Sequence, residues 1–256
     1  MKQKMKSIEW LDPRHLSEVK IILTDMDETL THQGRLAAVT YNALERLQDA
    51  GIAVIVNTAA PAGWCDQMAR MWPIAGVIGE NGGFFFKRET GENLHREFWH
   101  DQPAAVMTEL LKLYDRVRQD YPHIEYAADQ PFRLTSLALK RSGEEDRHIV
   151  DLLRELGAGA TINNLWVLGW LGDYDKLAMA RRVLAKHYNI DIDHARDRIA
   201  YLGDSENDAP MFAHFHHSFG MSTVGPGLSA YPTWQTAGPG GAGFVEVALK
   251  ILGTRV

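Results

Sequence analysis

Two aspartates, Asp25 and Asp27, stand two residues apart at the end of an apolar run, Val19-Lys20-Ile21-Ile22-Leu23-Thr24. The run predicts a buried strand of a parallel sheet. Side chains two apart on a strand point the same way, with Cα atoms roughly 6.5 Å apart. Both carboxyls can therefore face one small volume just past the strand, where open α/β sheets bind ligands. Carboxylates that close repel unless a cation or a shared proton intervenes. The pair implies a hard, oxygen-ligated metal ion with one carboxylate left over for chemistry. Taken alone, the same pattern also serves as a polar turn that caps a helix. Partners elsewhere in the chain must decide between the two.

The rest of the sequence supplies strands to carry such partners. Ile52–Val56 is a second apolar run and ends at Asn57-Thr58-Ala59-Ala60-Pro61. A third, Gly76–Gly79, leads to Glu80-Asn81-Gly82-Gly83, and a fourth, Ile199–Leu202, to Gly203-Asp204-Ser205-Glu206-Asn207-Asp208. In a parallel sheet these ends share one edge. Asp204 adds a third oxygen donor there, which suits the few-carboxylates-plus-water habit of Mg²⁺. Helical spacing is expected over 39–50, stopped by Gly51, over 61–71 with Pro61 in the first turn, and over 174–188. Lys176 opens the last of these and can bring a cation to the same edge.

Between 84 and 170 the rhythm changes. A hairpin over 84–98, a helix over 103–121, strands near 124–127 and 132–139, a helix over 142–156 and an extended stretch over 159–170 are expected. Ser142 and Glu145 have capping-box spacing. The fold class is thus α/β: a Rossmann-like parallel-sheet core, residues 1–83 and 171–256, interrupted by an α+β insert, residues 84–170. The last expected helix is 244–252, and Gly238–Gly243 reads as a loop.

Composition bounds the partners. The chain has 256 residues, 45% hydrophobic and 23% charged, with a net charge of −6. That balance argues against a broad basic nucleic-acid face and points to a small, anionic ligand. Cys65 is the only cysteine, which excludes an intrachain disulfide and suits a cytoplasmic setting. No apolar run is long enough to span a membrane, and no signal-peptide pattern follows the basic start.

Together these segments resemble the haloacid dehalogenase superfamily of phosphatases, in its C2-capped, Cof-like branch (type IIB). Asp25-Met26-Asp27-Glu28-Thr29 resembles the first motif, Asp-x-Asp-Gly-Thr; Thr58 matches the second-motif Ser/Thr; Lys176 the third-motif lysine; and Gly203-Asp204-Ser205-Glu206-Asn207-Asp208 the fourth motif. The insert between the second and third motifs corresponds to the cap. The resemblance implies that Asp25 is the nucleophile, that Asp27 protonates the leaving oxygen and then activates water, and that Thr58 and Lys176 hold the phosphoryl oxygens. It also implies a Mg²⁺ ion on Asp25, the carbonyl of Asp27 and Asp204, with Asp208 orienting the metal shell or ligating directly. Asn81 and Asn207 are candidate substrate contacts. Glu28 stands where the family has glycine, and Ala59-Ala60 where this branch often has Gly-Arg, which removes a contact to substrate.

The expected activity is Mg²⁺-dependent hydrolysis of a small phosphomonoester, such as a sugar phosphate, by a cytoplasmic monomer or homodimer. A sugar phosphomutase and a non-catalytic binding protein are the alternatives. Arg133, Trp166 and Trp170 are candidates for the cap's side of the site, against a packing role. His214, His216 and His217 lack a metal-binding pattern, and Cys65 reads as a buried helix residue.

Overall fold

The computed structural model describes residues 5–91, 93–163 and 165–255. In chain order its elements are β1 (Lys6–Ser7), β2 (Ile21–Thr24), α1 (Ala38–Asp49), β3 (Ala53–Asn57), α2 (Ala62–Met71), β4 (Gly76–Gly79), β5 (Phe84–Arg88) and β6 (Leu94–Phe98). Then come α3 (Pro103–Asp120), β7 (Ser136–Lys140), α4 (Asp146–Glu155), β8 (Gly159–Ile162) and β9 (Trp166–Trp170). The chain ends with α5 (Lys176–Tyr188), β10 (Ile199–Gly203), α6 (Ala209–His214), β11 (His217–Gly220), β12 (Trp234–Gln235) and α7 (Gly240–Leu252).

One nine-stranded sheet runs β1-β12-β11-β10-β2-β3-β4-β5-β6. Pairing is parallel from β1 through β4 and antiparallel from β4 to β6. Both faces are covered, which explains the unbroken apolar strands. Ile22, Val54, Val56, Val77, Ala200 and Leu202 pack on one side with residues of α1, α2 and α7. Their alternates Ile21, Leu23, Ile55, Ile78, Ile199 and Tyr201 pack on the other with α5 and α6. This is a doubly wound α/β core whose strand ends β2, β3, β4 and β10 lie side by side. A second, antiparallel sheet, β7-β9-β8, is backed by α3 and α4 through Leu110, Val117, Leu137, Leu139, Ile149 and Leu153.

Several local expectations are corrected. The hairpin of 84–98 continues the large sheet: Phe85 pairs with Ile78, and Phe84, Phe85 and Phe86 are buried in the core. The small sheet and its helices therefore begin after β6, not at residue 84. Residues 124–127 form no strand beyond a single bridge from Tyr126 to Leu139, and Gln130–Phe132 is a 3-10 turn. The Ser142–Glu145 capping box is not formed. Asp146, at the head of α4, instead accepts from the Ser142 N–H at 2.7 Å. α7 starts at Gly240, inside the stretch expected to be a loop. A Cβ on Gly241 would lie 2.2 Å from Thr40 Oγ1 and 2.7 Å from the Leu30 carbonyl, so the glycines there permit close helix packing. No helix among the described residues is long and apolar enough to cross a membrane.

The two sheets meet at Gly83. A Cβ there would lie 2.0 Å from Thr135 Oγ1 and 2.8 Å from Thr135 Cβ. Gly83→Ala should destabilise the protein by about 1–3 kcal/mol through overpacking. A melting temperature unchanged by calorimetry would contradict so tight a junction.

Candidate active site

Register places the chemistry. Thr24, the last residue of β2, sits between Leu202 of β10 and Val56 of β3. The Asp25 N–H continues the ladder, donating to the Leu202 carbonyl at 2.9 Å. Asp25 and Asp27 thus leave the sheet beside Thr58 at the end of β3 and Asp204 at the end of β10. Lys176 comes in from α5, whose first turn is fixed by two bonds. Asp175 caps it by accepting from Ala178 N–H at 2.7 Å, and Asn57 Nδ2 donates to the Lys176 carbonyl at 3.0 Å.

Lys176 is 1% exposed. Its Nζ donates to Asp25 Oδ1 at 2.8 Å and to Asp208 Oδ1 at 2.6 Å. Asp208 is fully buried and also accepts from Tyr201 Oη at 2.5 Å, Asp204 N–H at 2.9 Å and Ser205 N–H at 3.1 Å. Four donors converge on its two oxygens, so Asp208 is a fixed brace for Lys176 and for the Asp204 backbone. Burial works against the lysine's charge, but Asp208 and Asp25 outweigh it and raise its pKa. Burial pushes the Asp25 carboxyl up, to about 7, against the opposing pull of Lys176. Asp27 rises to about 6 by burial, again opposed by Lys176.

A divalent cation fits this arrangement. Asp25, Asp204 and Asp208 each offer a carboxylate oxygen, and these lie within 4.8 Å of one another. Three carboxylates face one ammonium, so negative charge is in excess, and the donors are all oxygen, as hard cations prefer.

The remaining expected residues fall into place unevenly. Asn207 lines the cavity above the aspartates, about 20 Å³, together with Asp25, Asp27, Ala59, Asn163, Leu165, Asp204 and Ser205. Asn81 is buried and braces Asn207, accepting from its Nδ2 at 3.3 Å. Thr58 is fully buried, and its Oγ1 accepts from Ala60 N–H at 3.0 Å. Glu28 takes the left-handed conformation itself, with φ 55°, the region glycine fills most easily. Its carboxylate reaches His32 Nδ1 at 2.9 Å and Gln33 N–H at 2.7 Å.

Arg133 is not available to substrate. Its guanidinium is buried, donating to Asp129 Oδ1 and Oδ2 at 3.2 and 2.7 Å, to the Ala59 carbonyl at 3.1 Å and to Ser136 Oγ at 3.0 Å. Trp170 donates its ring N–H to the Tyr174 carbonyl at 2.9 Å, which is packing. Trp166 packs half-buried against the cluster of Ala59, Ala127, Ala138 and Leu168.

Sequence reasoning missed two features. The β8–β9 turn places Asn163 and Leu165 over the aspartates; the Asn163-Asn164 pair interrupting an extended stretch was the available turn signal. Glu80, 1% exposed, was also missed. Its carboxylate accepts from Ala62 N–H (3.0 Å), Leu134 N–H (2.9 Å), Thr135 N–H (2.8 Å), Thr135 Oγ1 (2.9 Å) and Ser136 Oγ (2.7 Å). Ser136 joins it to Arg133, so one buried polar network ties the small sheet to the strand ends.

A further groove of about 490 Å³ opens beside the cavity, between Arg141, Ile162 and Asn163 on one side and Glu28, Asp204 and Glu206 on the other. Arg141 Nε donates to Asp146 at 2.8 Å and its Nη1 to the Asn163 carbonyl at 3.2 Å. Glu206 accepts from the Ser229 N–H and hydroxyl.

The family model of haloacid dehalogenase-like hydrolases matches residues 22–127 and 174–240, which include every residue of the aspartate–lysine cluster. The chain is 27% identical over 239 residues to a phosphoglycolate phosphatase of Archaeoglobus fulgidus, covering 91% of this chain and 97% of that one. In structure it resembles a protein of Streptococcus mutans, with a TM-score of 0.73 at 18% identity over 92% of this chain and 99% of the other. It also resembles a HAD/COF-like hydrolase of Plasmodium vivax, with a TM-score of 0.68 at 16% identity over 94% and 97%. At those identities the structural likenesses show the fold. The family match, spanning most of the chain and both halves of the cluster, shows more: the chain belongs to the haloacid dehalogenase-like hydrolases.

Proposed function

We propose that the protein is a Mg²⁺-dependent phosphatase that hydrolyses a small phosphomonoester through a phosphorylated Asp25. The observation that carries the reading is the placement of Lys176 between Asp25 and Asp208, next to Asp204, at the carboxyl ends of parallel strands. Phosphoryl transfer depends on positioning and charge neutralisation more than on covalent assistance. A lysine braced against a buried carboxylate supplies both.

Lys176 holds Asp25 Oδ1 and leaves the carboxylate aimed into the cavity as nucleophile. Attack of an Asp25 oxygen on phosphorus breaks the bond to the leaving oxygen, which takes the proton of Asp27. Asp27 then removes a proton from water, whose oxygen attacks phosphorus and releases Asp25 and inorganic phosphate. A carboxyl raised to about 6 suits both duties near neutral pH. Thr58 and Lys176 meet the phosphoryl oxygens, and Asn207, braced by Asn81, contacts the substrate. Mg²⁺ would be held by Asp25, Asp204 and the Asp27 carbonyl, and would supply positive charge at the phosphoryl group. The small-sheet unit, residues 99–170, acts as the cap that selects the leaving group.

Phosphate release from a panel of sugar phosphates and phosphorylated acids, with Mg²⁺ and with chelator, tests this reading. Metal-dependent release is expected. No release from any compound, with transfer between sugar hydroxyls instead, would favour a mutase; ligand binding without turnover would favour a binding protein.

A second substrate reading rests on Arg141. It is the cation on the wall of the 490 Å³ groove, and the groove's two glutamates are already engaged by donors. A phosphorylated carboxylic acid, the class named for the Archaeoglobus relative, would pair with it. Arg141→Ala should then raise KM for phosphorylated acids about 10- to 100-fold, the worth of one charge-assisted bond, with sugar phosphates unaffected. Equal KM values in both proteins would return the assignment to sugar phosphates.

A further inference from the structure

We propose that His95, Glu97 and His187 form a second metal site, for zinc, at the end of the molecule away from the aspartate cluster. His95 and Glu97 are two apart on the edge strand β6, so they share a face. That face is turned to α5, because Glu97 pairs with Phe85, which packs among the α5 residues. His187 lies in the last turn of α5, eleven residues and roughly 16 Å along the helix from Lys176.

The three donors already converge. His187 Nε2 is 2.9 Å and His95 Nε2 3.7 Å from the same Glu97 oxygen, and all three ligand atoms lie within 4.8 Å of one another. Donors held about 2.0–2.1 Å from a tetrahedral zinc stand about 3.3 Å apart, between the two distances observed. His95 Nε2 is buried and has no hydrogen-bond partner among the described residues, although buried polar atoms nearly always have one. On its far side, Glu89 stands 3.7 Å from His95 Nδ1, longer than a hydrogen bond but on the side where a carboxylate would have to close in to orient a metal-bound imidazole. His95 and His187 also border a cavity of about 940 Å³, which leaves room for a water as fourth ligand.

Two imidazoles and a carboxylate select zinc over magnesium, which prefers oxygen donors. Lys186 competes: its Nζ is 3.0 Å from the shared Glu97 oxygen, and its side chain is 59% exposed, free to swing into solvent. Bound zinc would fasten the edge hairpin to the helix that begins with Lys176.

The test is calorimetric titration of the chelator-stripped full chain with Zn²⁺ in saturating Mg²⁺, which fills the oxygen-donor site. Binding of one Zn²⁺ per chain is expected, with a rise in melting temperature. His95→Ala and His187→Ala should each weaken it by at least tenfold to a hundredfold, since even outer-shell losses cost that much. Lys186→Ala should tighten it, an opposite sign that damage to the fold would not produce. Failure of the wild type to bind Zn²⁺ would overturn the proposal, as would binding unchanged in both histidine variants or weakened by Lys186→Ala.

Discussion

Asp25→Asn removes phosphate release by about a thousandfold or more, the scale of losing a catalytic nucleophile, and leaves the fold intact. The substitution keeps the size of the side chain, so the Lys176 bond at 2.8 Å can pass to the amide oxygen. What disappears is the anionic oxygen that, in the proposed mechanism, attacks phosphorus. Asp25 is 4% exposed and paired with Lys176, but Asp208 also holds the ammonium, at 2.6 Å, so losing the Asp25 charge does not leave Lys176 without a carboxylate. The measurement is steady-state phosphate release beside a thermal melt. A variant that keeps more than about a tenth of wild-type turnover would exclude Asp25 as nucleophile, because nucleophile losses fall orders of magnitude lower.

Glu80→Ala destabilises the protein by about 3–5 kcal/mol, the cost of breaking a buried charged network from one side. Five donors from two structural units end on this one carboxylate. Without it, the N–H groups of Ala62, Leu134 and Thr135 lose their acceptor inside the protein, where unpaired groups are costly. Glu80 and Asn81 also hold φ values of 48° and 59°, a left-handed conformation worth about 1–2 kcal/mol per residue that the network offsets. For a chain this size each kcal/mol shifts the melting temperature by about 2–4 °C, so a drop of roughly 10 °C is expected. Glu80→Gln should fall between, because its NH₂ group would face donors where an acceptor is needed. A Glu80→Ala melt within about 2 °C of wild type would show that the network contributes little.

The aspartate site was legible because its signals are local. A buried parallel strand is a continuous apolar run, and its end is marked by the first polar residues, as at Thr24-Asp25 and Gly203-Asp204. Parallel topology then brings such ends together without further information. Lys176 was legible because it stands at the start of a helical spacing that resumes directly after the insert, and the helix does begin there. The boundary of the inserted unit was not, since an antiparallel hairpin looks the same whether it extends the core sheet, as β5 and β6 do, or begins a new unit. α7 was read short because Gly240–Gly243 suggests looseness, whereas Gly241 is small to admit Thr40 and Leu30. Glu80 escaped for a different reason. Its partners next to the small sheet lie 54 to 56 residues away, and no spacing rule reaches that far. Arg133, a candidate substrate contact by sequence, is instead held by Asp129, Ser136 and the Ala59 carbonyl.

The central claim, a phosphoryl group passing through Asp25, is tested most directly by stereochemistry at phosphorus. Hydrolysis of an isotopically chiral phosphomonoester would be followed to the configuration of the released phosphate. Two successive in-line displacements, first by Asp25 and then by water, predict retention. Inversion would mean that water attacks the substrate directly, and would contradict the account.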